Sequence, residues 1–194
     1  FTGVRSSELR ALRWQDIDLD GSILHVRQSV DRYGKIRPPK SDAGNRSIPL
    51  PPFALNTLKT WKLATGGNAR DFVFATRNGQ PISHADVINI TLLPTLLAAG
   101  LVVAAVDEQG RPRVNKRGRQ IFKGKYTGLH AFRHWYASWC INRRIDGGLE
   151  LPPKTTQVRL GHSTITMLMD TYGHLFPQQD DTVALAEGER ALLV

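Results

Sequence analysis

The tyrosine at position 172 is the residue of this chain with the most specific chemical potential. It stands in the stretch MLMDTYGHLF, residues 167–176. A tyrosine beside an apolar stretch is ordinarily a buried or half-buried aromatic whose hydroxyl is hydrogen-bonded. It can instead be a nucleophile, but a phenol with a pKa near ~10 attacks only where the fold supplies positive charge and handles its proton. Tyr172 is therefore a candidate only if cations and proton donors converge on its hydroxyl.

A second group of candidates lies in the segment HAFRH, residues 130–134. The spacing of three places His130 and Arg133 next to each other on one face of a helix. On its own, this pattern is more often a core histidine beside a surface arginine. His130 and His134 are also four residues apart, as two zinc ligands on a helix would be, but the glutamate that metalloproteases place between them is missing. We therefore predict no metal site.

Three weaker signals are spread over the rest of the chain. In TGVRSSELRALRWQDID, Arg5 stands three residues before Glu8, and the two could simply pair along a helix. In PPKSDAGNRSIPL, Lys40 lies on one arm of a hairpin, where a lysine is ordinarily a solvated charge. His162 stands ten residues before Tyr172. None of these residues identifies a site alone.

In this order the segments resemble those of the tyrosine recombinases, the phage integrase family, whose signature is Arg, Lys, His-x-x-Arg, His or Trp, and then Tyr. TGVRSSELRALRWQDIDLD resembles the segment with the first arginine, and PPKSDAGNRSIPL resembles the lysine hairpin. GLHAFRHWYAS resembles the segment with the second arginine, and LGHSTITMLMDTYGHLFP the segment with the nucleophile. The resemblance extends over about residues 1–177, and the ordered combination is far more specific than any one motif.

The resemblance implies an enzyme, a tyrosine-type site-specific recombinase. Tyr172 would attack a DNA phosphodiester and form a 3′-phosphotyrosyl intermediate, and strand exchange and religation would follow without metal, cofactor or ATP. Arg5 and Arg133 would bind the phosphate, because a planar guanidinium can contact two phosphate oxygens and keeps its charge. Lys40, on its hairpin, would protonate the leaving 5′-oxygen.

The same resemblance assigns roles to the remaining polar residues. His130 would accept the phenolic proton or hydrogen-bond the phosphate. His162 would donate a hydrogen bond to a non-bridging phosphate oxygen. Glu8 would support Arg5 or His130 from behind.

Net charge also indicates a nucleic-acid partner. The chain has 26 Lys and Arg against 17 Asp and Glu, a net charge of +9 and a pI near 10.1, a balance typical of proteins with a polyanionic partner. The stretch 111–125 holds seven cations and no acid, although such a run is more often a solvated loop. We predict that double-stranded DNA is contacted by Arg46 and by the cations of this stretch: Arg111, Arg113, Lys116, Arg117, Arg119, Lys123 and Lys125.

Hydrophobic spacing predicts the helices that position these residues. Helical patterns occupy residues 6–14, 53–65, 84–99 and 127–142, with short helices near 154–160 and 164–172. Ser83 and Asp86 resemble a capping pair at the start of the helix at 84–99, and Pro94 is expected to kink it. In the helix at 127–142, the predicted apolar stripe is Leu129, Phe132, Tyr136 and Cys140.

The remaining patterns predict strands, turns and the fold class. Residues 22–30, SILHVRQSV, are typical of a strand, and residues 31–50 look like hairpins and short strands. The basic stretch 107–125 is expected to be a loop or a flexible hairpin. We predict a mostly α protein with a small antiparallel β-sheet (α+β), and the resemblance implies the catalytic-domain fold of the tyrosine recombinases.

The resemblance also divides the chain. Residues 1–177 are expected to form the catalytic domain, and residues 178–194 a C-terminal tail. Because the chain begins close to its first motif, we interpret it as a fragment without the N-terminal core-binding domain of the family. The fragment alone is expected to be a monomer, and the complete protein a tetramer on synapsed DNA.

Composition limits the location and leaves two alternative functions open. One cysteine excludes a disulfide framework and is compatible with the cytosol, and no apolar run is long enough to span a membrane; the resemblance implies a cytoplasmic protein associated with the nucleoid. A non-catalytic DNA-binding protein would share the basic surface but has no need for an attacking phenol. A type IB topoisomerase-like enzyme would share the chemistry and differ in acting without paired sites.

Overall fold

The computed structural model describes residues 1–39, 41–68, 71–126, 128–176 and 182–193. Its helices are α1 Ser6–Ala11, α2 Pro52–Thr65, α3 His84–Asp86, α4 Leu93–Ala98, α5 His130–Ile141, α6 Pro153–Leu160, α7 Ile165–Tyr172 and α8 Thr182–Leu192. Its strands are β1 Ile17–Asp18, β2 Ile23–Val26, β3 Ser29–Val30, β4 Ile36–Arg37, β5 Arg46–Pro49, β6 Val102–Ala104 and β7 Phe122–Gly124. Among the described residues, no helix is long and apolar enough to cross a membrane.

The central sheet is antiparallel and has the order β1-β2-β5. Leu24 of β2 lies opposite Ile48 of β5, and Val26 lies opposite Arg46. Burial alternates along β5, so that Arg46 and Ile48 point into the protein, as the two-residue period of a strand requires. The sheet encloses the core together with α5, α6 and α7, and α6 packs against β5. The predicted mostly α architecture with a small antiparallel sheet is confirmed.

Helix α5 buries Tyr136 and Cys140 as predicted, but Phe132 lies outside its buried face. Its buried residues are Arg133, Tyr136, Ala137, Cys140 and Ile141. Phe132, which the hydrophobic pattern placed in the stripe, is 50% exposed. The apolar pattern selected Phe132 because it treats Arg133 as a surface residue. In the structure Arg133 is buried in its place.

The helical segment from 84 to 98 contains an adjustment for its proline. The predicted cap is present, since the Asp86 N–H donates to Ser83 Oγ at 3.0 Å. Residues Val87–Leu92 form a π-helix that runs into α4 just before Pro94. Proline has no N–H and its ring crowds the carbonyl four residues earlier, and a wider turn accommodates both effects. The helix is therefore interrupted before Pro94 by a π-helical segment.

The basic stretch is an ordered β-structure, here named the basic ribbon (residues 102–124). Strands β6 and β7 pair at its base, and Ala105, Arg113 and Ile121 are linked in a ring by three backbone hydrogen bonds of 2.8 Å. Two tight turns at 107–111 and 115–119 connect these positions. In each turn, a side-chain oxygen of the first residue accepts two backbone N–H groups. The predicted hairpin is therefore a compact ribbon with two similar turns eight residues apart.

Candidate active site

Three arginine side chains meet at the C-terminal end of α6. The backbone oxygens of residues 159, 160 and 161 accept hydrogen bonds from Arg46 Nε, Arg133 Nη2 and Arg5 Nη2, in that order, at 2.8, 2.5 and 3.0 Å. The last carbonyls of a helix have no donor within the helix and lie at its negative dipole end. The end of α6 therefore holds three cations from distant parts of the chain side by side; we call Arg5, Arg46 and Arg133 the arginine cluster.

Glu8 is a buried carboxylate that joins two members of the cluster. Its Oε1 accepts from Arg5 Nη1 at 2.8 Å and from Arg46 Nη1 at 3.1 Å. Its Oε2 accepts from Arg46 Nη2 at 2.9 Å and from the backbone N–H of Arg5 at 2.7 Å. Burial opposes ionisation, but the hydrogen bonds and charge of Arg46, together with the bonds from Arg5, hold the pKa of Glu8 below its ordinary value. Of the two partners predicted for Glu8, the structure brings it to Arg5.

The ionised state of Glu8 gives the protein an acid-sensitive element. Because its folded pKa lies below the unfolded value of about 4.3, the ion pairs contribute fully above that pH and are lost as pH falls through the folded pKa. We expect Glu8→Gln to lower the free energy of unfolding at neutral pH by about 3 kcal/mol, since it leaves buried Arg46 without its counter-charge. We also expect the variant to lose less stability on acidification than the parent protein.

Urea unfolding at a series of pH values measures both effects. Glu189→Gln, which removes the same charge from an exposed position of α8, is the matched control and should leave the stability at neutral pH unchanged. If the free energy of unfolding fell equally steeply at low pH in Glu8→Gln and in the parent, the assigned ionisation of Glu8 would be contradicted.

Arg133 is almost completely buried on α5. Besides its bond to the end of α6, its Nη1 donates to the Gly3 carbonyl at 2.6 Å. Burial, and then repulsion from Arg5 and Arg46, lowers the pKa of Arg133 to about 10, so that it keeps its charge at neutral pH. Gly3 has φ of +59°, and a Cβ there would lie 2.3 Å from the ring of Tyr136. This position therefore requires glycine for the carbonyl to reach Arg133.

His162 follows the end of α6 and faces the positive charge of the cluster. Burial, and then the charges of Arg133, Arg5 and Arg46, lowers its pKa to about 4, so the ring is neutral at neutral pH. Its Nδ1 is buried and has no hydrogen-bond partner among the described residues. Buried polar atoms of proteins are ordinarily paired, and a neighbouring anion would both pair this ring and offset the surrounding charge.

Tyr172 ends α7 and is 5% exposed. Its hydroxyl is hydrogen-bonded to Nδ1 of His134 at 2.7 Å. Burial raises the pKa of the phenol, and the charge of Arg133 acts against this rise. His134 is thus the histidine in contact with the candidate nucleophile. Its sequence position four residues after His130 suggested only a metal ligand, so this contact was missed.

His130 lies next to His134 with 4.6 Å between the ring centroids. Burial, and then the charges of His134, Arg133 and Arg5, lowers the pKa of His130. In the described part of the chain, no group of three His, Cys, Asp or Glu side chains is placed to hold a metal ion.

Arg46 has a different environment from the one expected of it. The sequence predicted a surface cation in contact with DNA, but the side chain is only 1% exposed and bonds protein oxygens alone. Its neighbour on the same face of β5 is Ile48, which is also fully buried. This alternation along RSIP was the sequence signal that could have indicated an interior arginine.

Lys40 lies outside the described residues. The residues on either side of it, Pro39 and Ser41, line a cleft of about 250 Å³ together with Arg5 and Glu8. Arg5 is the cluster member most open to solvent, with 38% of its side chain exposed. The hairpin and the cluster therefore border the same cleft.

The seven predicted DNA-contacting cations of the stretch 111–125 are all exposed, and six of them lie in the basic ribbon, with Lys125 directly after it. The ribbon packs against α4, and within the described residues no hydrogen bond or ion pair joins it to the arginine cluster. It is a separate positive surface of the same protein.

Comparison with known proteins identifies the family. Residues 1–179 match the sequence profile of the phage integrase family. The chain belongs to the phage integrase family. This membership confirms the resemblance seen in the four sequence segments.

Curated relatives carry the names of integrases and recombinases. The chain is 36% identical over 174 residues to tyrosine recombinase XerC of Xanthomonas campestris pv. campestris, covering 90% of this chain and 41% of the relative. It is 23% identical over 185 residues to prophage integrase IntR of Escherichia coli K12, covering 93% of this chain and 42% of the relative. This family member therefore spans less than half the length of these relatives.

Solved structures share the fold. The integrase of transposon Tn1549, in complex with a circular intermediate DNA, gives a TM-score of 0.63 at 23% identity, covering 98% of this chain and 55% of that chain. The XerH site-specific recombinase, bound to palindromic difH substrate in a post-cleavage complex, gives a TM-score of 0.55 at 18% identity, with 97% and 42% covered. Both likenesses establish the architecture of this phage integrase family member.

Proposed function

We propose that this chain is the catalytic domain of a site-specific DNA recombinase, with residues 1–177 forming the domain and residues 178–194 a tail. The Tyr172 oxygen attacks a DNA phosphodiester, the bond between phosphorus and the 5′-oxygen breaks, and a 3′-phosphotyrosyl intermediate forms. Attack by the 5′-hydroxyl of another strand reverses these steps, which gives strand exchange and religation. The observation that carries the proposal is the arginine cluster, in which three guanidinium groups meet at the end of α6, with one carboxylate bonded to two of them, close to a buried tyrosine.

The excess of positive charge suits the transition state of phosphoryl transfer. Negative charge spreads over the non-bridging oxygens during in-line attack, and preorganised cations stabilise it. Arg5 and Arg133 already have fixed geometry, since each donates to a carbonyl at the end of α6. His162 donates a further hydrogen bond to a non-bridging oxygen from its half-buried ring. The negative charge of the phosphate relieves the repulsion that these residues experience.

Two protons must move in the proposed reaction. We assign the phenolic proton to His134, because its Nδ1 is within hydrogen-bond distance of the Tyr172 hydroxyl. His130, which the family resemblance offered for this role, is then available to bond the phosphate. Lys40 supplies the proton to the leaving 5′-oxygen. The covalent link conserves the phosphodiester for religation, so the reaction needs no ATP.

Double-stranded DNA is the proposed partner. The support is the net charge of +9, the exposed basic ribbon, and the DNA complexes in which the Tn1549 integrase and XerH were solved. We further propose that the complete protein acts on paired sites as a tetramer in the cytoplasm, at the nucleoid, and that this chain alone is a monomer.

The basic ribbon is expected to bind the DNA backbone. Removing one cation that neutralises a phosphate flattens the plot of log affinity against log salt concentration by about 0.9. A variant with four ribbon cations changed to Gln should therefore show a slope shallower by up to about 3.6; the four are Arg113, Lys116, Arg117 and Arg119. The control removes the same charge from exposed cations elsewhere: Arg32, Lys35, Lys59 and Arg144. Binding isotherms at several salt concentrations measure the slopes, and equal slopes for the ribbon variant and the parent would refute the proposed binding by the ribbon.

Capture of a covalent DNA adduct tests the proposed function. The substrate is an end-labelled pool of nicked duplexes of randomised sequence, in which loss of the short cleaved fragment prevents religation. Incubation with EDTA followed by a denaturing gel should retain label on the protein through the 3′ end, and mass spectrometry should place the link on the peptide containing Tyr172. DNA binding without any adduct would favour the non-catalytic alternative. Relaxation of supercoiled DNA by monomers would favour the topoisomerase alternative.

A further inference from the structure

The buried arginine of strand β5 has a role beyond packing. We infer that Arg46 is a positioning residue of the active site, which holds Arg5 in its phosphate-binding orientation through Glu8 and Gly161. The inference rests on the proposed function, since it concerns the orientation of a residue that would bind the scissile phosphate. It replaces the direct DNA contact that the sequence suggested for Arg46.

The hydrogen bonds of Arg46 use four of the five N–H groups of its guanidinium. Nε donates to the Arg159 carbonyl at 2.8 Å, and Nη1 donates to the Gly44 carbonyl at 3.0 Å. Nη1 and Nη2 also bond the two oxygens of Glu8. With the side chain 1% exposed, the guanidinium is directed mainly at protein oxygens and away from solvent, where DNA would bind.

Two contacts of Arg46, a hydrogen-bonded one and a packing one, lead directly to Arg5. The first is with Glu8, whose oxygens are shared between the two arginines. The second is with Gly161, whose carbonyl accepts from Arg5 Nη2 at 3.0 Å. A Cβ on Gly161 would lie 2.8 Å from Arg46 Nη1, so the Arg46 guanidinium packs directly against this backbone. Removal of Arg46 thus takes away one of the two hydrogen-bonding partners of Glu8 and the group that packs against Gly161, and these are the two groups that orient the Arg5 side chain.

The arrangement requires the shape of arginine as well as its charge. A guanidinium bonds both oxygens of a carboxylate in one plane, whereas an ammonium is a point charge without that geometry. Arg46→Lys should therefore keep the buried charge balanced but orient Glu8 incompletely. Arg46→Met keeps an unbranched side chain and removes both the charge and the hydrogen bonds.

Modified phosphates at the cleavage position show whether Arg46 acts through Arg5, which neutralises phosphate charge, or through Lys40, which protonates the leaving group. In a methylphosphonate, a methyl group replaces one non-bridging oxygen and removes the negative charge that Arg5 neutralises. In a 5′-bridging phosphorothiolate, sulfur replaces the leaving oxygen and departs without a proton from Lys40. DNA carrying an ordinary phosphate completes the set, and the sequence is one that the randomised pool selects.

The expected result is a cleavage defect that depends on the substrate. On ordinary DNA, Arg46→Met should form adduct about 100-fold more slowly, the range found when one transition-state donor is lost, with a smaller loss for Arg46→Lys and unchanged DNA affinity and salt slope. The methylphosphonate should reduce the loss to a few-fold, and the phosphorothiolate should not. Arg143→Met, at an exposed arginine paired with Asp146, is the control and should cleave all three substrates as the parent does.

Several results would overturn the inference. Rescue by the phosphorothiolate alone would mean that Arg46 acts on the hairpin of Lys40. A salt slope shallower by about 0.9 with normal cleavage would mean that Arg46 binds a phosphate directly. Equal rates in both Arg46 variants and the parent would refute the inference and leave the proposed function intact, whereas a parent that forms no adduct would refute both. Circular dichroism at the assay temperature checks folding. If Arg46→Met is unfolded, the rates of adduct formation by Arg46→Lys on the three substrates test the inference without it.

Discussion

Tyr172→Phe is expected to form no covalent DNA adduct at all, because it removes the attacking oxygen and nothing else. The ring stays in its buried position at the end of α7, and only the hydrogen bond to His134 is lost. One such bond contributes about 1 kcal/mol net, so the fold should survive. A denaturing gel with the nicked substrate measures the adduct, and a thermal melt measures the stability.

Two comparison variants make this result specific. Tyr33→Phe, at an exposed tyrosine of a turn, should leave adduct formation unchanged. His134→Ala should slow adduct formation by about 100-fold or more, the contribution of a positioned proton acceptor, without abolishing it. Because burial raises the pKa of Tyr172, the remaining rate in His134→Ala should increase with pH as hydroxide takes over the proton. An adduct that persists in Tyr172→Phe would place the nucleophile elsewhere.

Short-range features of this fold could be predicted because neighbouring residues determine them. The cap of Ser83 on the helix at 84 and the end of α2 at Gly66, which has φ of +61°, both follow from local hydrogen bonding and backbone freedom. The turns of the basic ribbon are equally local. The family segments likewise indicated which residue types belong to the site, since they carry a signature in order.

Long-range interactions were beyond the reach of the sequence. The three carbonyls at the end of α6 accept from arginines that are 27 to 156 residues distant, and no periodicity in the chain encodes that meeting. Arg46 was predicted to be a surface cation because an arginine in a single sequence is recognised only by its charge, and charged residues are usually exposed. The contact of His134 with Tyr172 could be recognised only once the position of α7 relative to α5 was known. Phe132 was misplaced because Arg133 occupies the buried face that apolar residues usually define.

Arg133 is the cluster member whose loss should cost the most. Arg133→Ala leaves the Gly3 and Leu160 carbonyls without their donor inside the protein, and each unpaired buried group costs about 1–3 kcal/mol. It also removes the most buried positive charge of the proposed phosphate site, so adduct formation should fall by about 1,000-fold or more. Urea unfolding and the adduct gel measure the two losses separately.

Chemical rescue distinguishes the catalytic loss of Arg133 from the structural one. Free guanidinium ion, added well below denaturing concentrations, can enter the space left in Arg133→Ala, donate to the same carbonyls and restore part of the charge. Arg133→Met fills that space with an apolar chain, so guanidinium should restore nothing, although this variant lacks the same hydrogen bonds. Ethylammonium should rescue Arg133→Ala less well, because it lacks the planar fork that bonds carbonyl and phosphate together. Equal rescue of both variants would show that the ion acts on the protein as a whole, and the assignment of Arg133 to the phosphate would then fail.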